Sequence, residues 1–147
     1  MRHSWPIDAL AVFALSLLVT ACDNASTQRN DEIKGRLVGA WLQESVFDDW
    51  KIRSVVTFQK DGTFQQAVKA FAADGSVRGE TTAGEWFFDG ETLKRRYRTV
   101  NGKPVSGIQF ASYQFVSLSD TELACVDHLT EGKREVRFRR VPEGTAP

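Results

Sequence analysis

The stretch Thr57-Phe58-Gln59-Lys60-Asp61-Gly62-Thr63-Phe64 decides the fold. Asp-Gly between two alternating apolar segments is a strong short-range hairpin signal. A three-residue loop with Gly62 in the left-handed region sets Phe58 opposite Phe64 on the adjoining strand. Alternation then carries Val56, Phe58, Phe64, Gln66 and Val68 to one face and Thr57, Gln65 and Lys69 to the other.

The same punctuation recurs at Asp74-Gly75, Asp89-Gly90, Asn101-Gly102, Ser119-Asp120 and Glu131-Gly132. It predicts strands over 36–44, 51–60, 63–72, 77–88, 91–100, 105–118, 121–130 and 133–141. A two-residue turn at Asp89-Gly90 would set Trp86 opposite Leu93 and Gly84 opposite Arg95. One at Glu131-Gly132 would set Cys125 opposite Phe138 and Asp127 opposite Val136. Strand six is irregular: Ile108, Phe110, Val116 and Leu118 share one face while Tyr113 and Phe115 share the other. It calls for a bulge, at Gly107, or for a second packing surface. Short antiparallel strands with single apolar faces predict an all-β chain, an eight-stranded up-and-down barrel closed so that no edge stays unpaired. A two-sheet sandwich is the rival. The barrel should span 36–141, with 142–147 as a tail.

Gly39-Ala40-Trp41, the 57–64 segment, Gly84-Glu85-Trp86, Leu93 after Asp89-Gly90, Tyr113 to Asp120 with Glu122-Leu123, and Phe138-Arg139-Arg140 occur in an order that resembles small lipocalin-like bacterial domains. The resemblance spans about residues 37–141 and implies a calycin-type barrel, often carried on a lipoprotein. It also implies that the Gly-x-Trp tryptophan, here Trp41, closes one barrel end beneath a basic side chain from the last strand. Alternation makes Arg140 that side chain, in a cation–π contact of roughly 0.5–2 kcal/mol.

Residues 1–21 have the order of an export signal: Arg2 with His3, then the apolar run Ala9 to Val19, about half the ~20 residues a membrane-crossing helix needs. Val19-Thr20-Ala21-Cys22 resembles the lipobox of bacterial lipoproteins, which implies cleavage before Cys22 and a diacylglyceryl group on its thiol. Residues 22–35 then read as the lipidated N-terminus and a polar tether, with one short turn over Asp31 to Arg36. The expected address is the bacterial cell envelope, anchored by lipid and facing the periplasm. Asp23 resembles the signal that retains lipoproteins in the inner membrane; the outer membrane is the other address.

The 147 residues hold 19 Lys+Arg against 19 Asp+Glu. Cleavage would remove Arg2 and Asp8, one of each sign, so the balance is a property of the mature domain. A neutral chain lacks the broad basic footprint of a nucleic-acid binder. Cys22 and Cys125, with His3 and His128, supply no metal cluster, no disulfide framework and no catalytic triad. Cys125 reads as a buried small hydrophobe, and His128 as a surface partner of Glu135. No enzyme, cofactor or metal is expected. Lys94, Arg96 and Arg98 on one strand, and Lys133 to Arg140 on another, read either as solvated outer faces or as a basic patch toward anionic lipid or an acidic partner.

Arg95 points inward between Leu93 and Tyr97. A bare buried charge is prohibitive, so it needs an ion pair, water or an anionic ligand; Asp127, Glu85 and Gln66 are the conceivable partners, of which Asp127 and Gln66 share its face. Large rings should fill one half of the barrel, leaving a cavity near Gln66, Val68, Ala70, Ala72 and Thr82. The expected function is non-enzymatic binding of a small amphiphilic molecule there, through Arg95, Tyr97, Gln66, Val68 and Thr82. The alternative is a periplasmic protein-interaction module that docks through loop 45–50, with Phe47 and Trp50, or through the basic strands.

Overall fold

The computed structural model describes residues 24–128 and 132–147. Strands β1 (Gly39–Phe47), β2 (Trp50–Phe58), β3 (Thr63–Ala72), β4 (Val77–Phe88), β5 (Thr92–Val100), β6 (Lys103–Leu118), β7 (Glu122–Asp127) and β8 (Arg134–Val141) run in sequence order. All neighbours are antiparallel, and β1 pairs with β8 to close the barrel. This is the up-and-down architecture that the lipocalin-like resemblance implies.

The β2–β3 hairpin has the expected register, with Phe58 opposite Phe64. Gly62 lies at φ 86°, and its amide donates to the Gln59 carbonyl at 3.1 Å. Two other registers differ from expectation by two residues. Phe88, rather than Trp86, faces Leu93, and Trp86 faces Arg95. The Asp89 carboxylate accepts the amides of Glu91 and Thr92, at 3.0 and 2.8 Å, so the loop begins after Asp89. Likewise Cys125 faces Val136, Leu123 faces Phe138 and Asp127 faces Arg134; residues 129–131 of this connection lie outside the described residues. A slip of two preserves the inward face, which is why the core survives it.

Bulges resolve strand six. The β6–β7 register shifts between Phe115 and Ser117, and Val116 is the extra residue. The shift flips the alternation, so Tyr113, Phe115 and Leu118 all pack against the core while Val116 is exposed. A second shift on β6, between Gln109 and Pro104, spans Gly107. Ile108 and Phe110 consequently face solvent, Ile108 at 71% exposure.

The segment read as a tether is helical over 24–37, here α1. Its first residues are solvated, but Ile33 and Leu37, one turn apart, pack onto the barrel core. Asn30 donates to the Asp89 carbonyl at 3.4 Å, and Arg36 pairs with Asp120 at 3.3 Å. α1 thus caps the end formed by the β2–β3, β4–β5 and β6–β7 loops. Among the described residues no helix is long and apolar enough to cross a membrane; the signal segment and Cys22 lie outside the described residues.

Rings fill the capped half. Phe58 meets Trp86 at 5.3 Å, Phe88 meets Phe115 at 5.2 Å, and Phe64 meets Tyr97 edge-on at 5.7 Å between centroids. Such pairs contribute roughly 0.5–1.5 kcal/mol beyond the area they bury.

Candidate functional site

The barrel's two ends do different things, and the capped end is structural. The Arg140 guanidinium lies 4.1 Å from the Trp41 ring centroid, the pair named from sequence, and the two residues face each other across β1 and β8. The same guanidinium donates to the carbonyls of Val38 at 3.0 Å, Asp120 at 2.8 Å and Arg36. The Trp41 indole N–H donates to the Leu37 carbonyl at 2.8 Å. The last carbonyls of a helix have no partner within it and carry partial negative charge. Trp41 and Arg140 together cap α1 with an N–H and a cation. Gly39 makes room: at φ 126° it adopts a conformation side chains resist, and a Cβ there would sit 2.7 Å from Arg140 Nη1.

The opposite end is open. Beyond the rings lies a cavity of about 360 Å³ in which Arg95, Tyr97, Gln66, Val68 and Thr82 come together. These are the five residues named from sequence for ligand contact. Tyr113, Gln109, Glu80 and Val100 complete the lining. Tyr113 was legible only once the Val116 bulge had set its phase. Binding pockets for small molecules usually occupy ~300–1,000 Å³.

Arg95 is 3% exposed. Its Nη1 donates to Gln66 Oε1 at 2.8 Å and its Nη2 to the Tyr113 hydroxyl at 2.6 Å. The guanidinium carbon lies 5.0 Å from the Tyr113 ring centroid, 5.5 Å from that of Phe64 and 5.8 Å from that of Tyr97. A neutral acceptor and π faces surround it. The ion pairs among the described residues do not include Arg95. Gln66 is therefore the partner found; Glu85 is taken on the outer face by Arg96 and Arg98. Gln66 is itself oriented, its amide donating to Ser54 Oγ at 2.6 Å while Thr82 donates to its carbonyl oxygen at 3.4 Å. The room expected for Arg95 opposite Gly84 does not exist, because Gly84 faces Tyr97. Burial pushes the Tyr97 phenol above its usual range, with Arg95 opposing and the Asp127 and Glu80 charges reinforcing the rise.

The remaining candidates resolve onto the surface or into the core. His128 contacts Gln114 at 3.2 Å; Glu135 faces Val126 and binds Arg137 instead. Lys94 pairs with Asp89 at 3.1 Å, Arg96 and Arg98 with Glu85, and Arg137 with Glu122 and Glu135. Much of the basic striping is thus cross-strand pairing, each exposed pair contributing ~0–1 kcal/mol. Phe47 is 65% exposed at the β1–β2 tip, whereas Trp50 is half-buried with the Arg78 guanidinium 4.9 Å from its ring. No cluster of three or more metal-ligating side chains occurs among the described residues. A second concavity, about 400 Å³ between α1 and the β2–β3 loop, is lined by Val38, Trp86 and Phe88 with the exposed Asp31–Lys34 pair. It holds no buried charge, so chemistry favours the barrel cavity.

Cys125 is fully buried, and burial pushes its thiol up to about 12, with Arg95 opposing weakly. A raised pKa stabilises the fold fully below the unfolded value of ~8.5 and loses that contribution as pH rises through the folded value. Stability should therefore fall between about pH 9 and 12, and more shallowly in Cys125→Val, as measured by urea midpoints across that range. A midpoint whose pH dependence is unchanged by the substitution would contradict this assignment.

No protein-family model matches the chain, and no curated protein matches it significantly. Function is read from the chemistry of the site.

Proposed function

We propose that this is a lipid-anchored protein of the bacterial envelope whose barrel binds a small amphiphilic molecule at its open end, without catalysis. The observation that carries the reading is Arg95: a buried cation at the floor of a cavity open to solvent, held by a glutamine, a tyrosine hydroxyl and ring faces. A site used only for packing has no reason to keep such a group, since replacing a buried charge by an apolar side chain is often neutral or stabilising. Large rings fill one half of the barrel and small or polar side chains line the other, which suits one small guest. Native mass spectrometry of the mildly extracted protein tests this. One co-purifying small molecule per chain is the expected result, and a bare chain in every preparation counts against the reading.

The anchor rests on Val19-Thr20-Ala21-Cys22, and Asp23 favours the inner membrane over the outer. Two or more acyl chains hold a protein stably, since each buried methylene contributes ~0.8 kcal/mol. Cys22→Ser should move the protein from the membrane fraction to the soluble fraction. Unchanged fractionation would refute lipidation. The exposed Val46-Phe47 tip is the observation that favours a second reading, docking of a periplasmic protein partner. Phe47→Ser separates the two: it weakens partner capture in that reading and leaves the co-purifying small molecule unchanged in the first.

A further inference from the structure

We infer that the ligand enters head-first as an oxyanion, its headgroup seated on Arg95 and its alkyl tail running past Val68 and Val100 to the mouth. The inference rests on the proposal that the barrel binds a small molecule, and it adds the charge of the headgroup and the direction of the ligand.

Three observations carry it. First, Arg95 sits at the floor of the cavity, opposite Trp86 and Ala111, with the packed rings of Phe58, Phe64 and Trp86 around and below it. The cavity lined by Val68, Glu80 and Val100 lies toward the open end from it. A headgroup reaching the guanidinium must therefore be the leading end. Second, the guanidinium stays charged and has satisfied only part of its donor set, on Gln66 and Tyr113. Those are neutral oxygens, and the ion pairs of the described residues do not reach it; an oxyanion supplies both the acceptors and the opposite sign. Planar bidentate recognition of carboxylate or phosphate is what a guanidinium does best. Third, the acid that lines the cavity, Glu80, is exposed near its mouth. An anionic head left at the rim would face that carboxylate, whereas an alkyl tail would not. The rim also offers apolar support: Val77 and Phe47 are exposed on strand ends of that side of the barrel.

The cavity limits the guest. A volume of about 360 Å³ is the share of roughly a dozen waters at ~30 Å³ each. It accommodates a medium-length chain, and a longer one would extend into solvent.

The test is calorimetric titration of the full chain carrying Cys22→Ser with four probes of equal tail: decanoate, decyl phosphate, decanol and decyltrimethylammonium. The inference expects both anions to bind one per chain, decanol roughly ten- to a hundredfold more weakly, and the cation more weakly still. Preference for decanoate or for decyl phosphate then tells whether the natural head is a carboxylate or a phosphate ester. Arg95→Met should abolish the preference for decanoate over decanol. The four-probe ranking in the unmutated protein keeps the test valid if that variant does not fold. Equal binding of decanoate, decanol and the cation overturns the head-first oxyanion and leaves the barrel a binder. Failure of all four to bind overturns the binding proposal itself.

Discussion

Trp41→Ala should cost the fold about 3–5 kcal/mol, the range for removing a fully buried large ring. For a domain of this size that lowers Tm by on the order of 10–20 °C. Three losses combine. The ring leaves a void among the core side chains at the capped end. The Leu37 carbonyl loses its indole donor at the buried end of α1. The Arg140 guanidinium loses the π face beneath it while still holding the carbonyls of Arg36, Val38 and Asp120. Trp41→Phe keeps one ring but removes the indole N–H and the volume of the fused five-membered ring; its cost should be smaller than that of Trp41→Ala, on the order of 2–3 kcal/mol. Arg140→Met removes the cation and leaves those carbonyls without their donor. Since both residues serve one helix end, their effects should be less than additive in a double-mutant cycle. Simple additivity of Trp41→Ala and Arg140→Met in urea unfolding would show that the two residues do not act as a unit.

Gly84→Ala should be nearly as costly, about 3 kcal/mol, although it adds one methyl group. A Cβ at position 84 would lie 1.9 Å from the Arg96 carbonyl oxygen and 2.9 Å from its carbon. These are backbone atoms of the paired strand, so no rotamer relieves the clash; β4 and β5 must separate. The register shifts between Ala83 and Gly84, with Arg98 as the extra residue on β5, and that bulge brings the two backbones together. Overpacking a core costs ~1–3 kcal/mol even where side chains can adjust. Gly79→Ala, on the same strand, is the control: its Cβ would meet the Val68 carbonyl oxygen at an ordinary 3.6 Å. Removing glycine's freedom in the unfolded chain should leave Gly79→Ala neutral or stabilised by ~0.4–1 kcal/mol. Equal unfolding midpoints for the two variants would contradict the close approach at Gly84.

The strands were legible in the sequence because their loops are marked and their faces alternate. Positions 63–72 and 77–88 match the strands residue for residue. The closure by Trp41 and Arg140 followed from one motif and one parity argument. Register across Asp89-Gly90 was not legible in the dipeptide, because Asp89 serves as a side-chain acceptor for the loop rather than as a turn residue. Only one turn of α1, over Asp31 to Arg36, was expected, because its contact face is only Ile33 and Leu37, too short to stand out as a periodic stripe. In the site, the inward side of β3 to β5 was readable from alternation alone, which placed Gln66, Val68, Thr82, Arg95 and Tyr97. Tyr113 was not, since alternation split the apolar residues of β6 between two faces and did not say which turns inward; the bulge at Val116 brings Leu118 to the side of Tyr113 and Phe115. Ion pairing hid for a related reason: the facing of Glu85 to Arg96 depends on a register that the turn residues do not encode.

The claim that the open end of the barrel is a binding site is tested most directly by NMR titration of the isotopically labelled protein with decanoate. Binding in the cavity predicts saturation at one equivalent, with shifts at Val68, Thr82, Tyr97, Val100 and Gln109 and at the Arg95 side-chain Nε–Hε signal. Shifts that do not saturate, or that fall on the outer-face residues Phe87, Ile108 and Phe110, would contradict it.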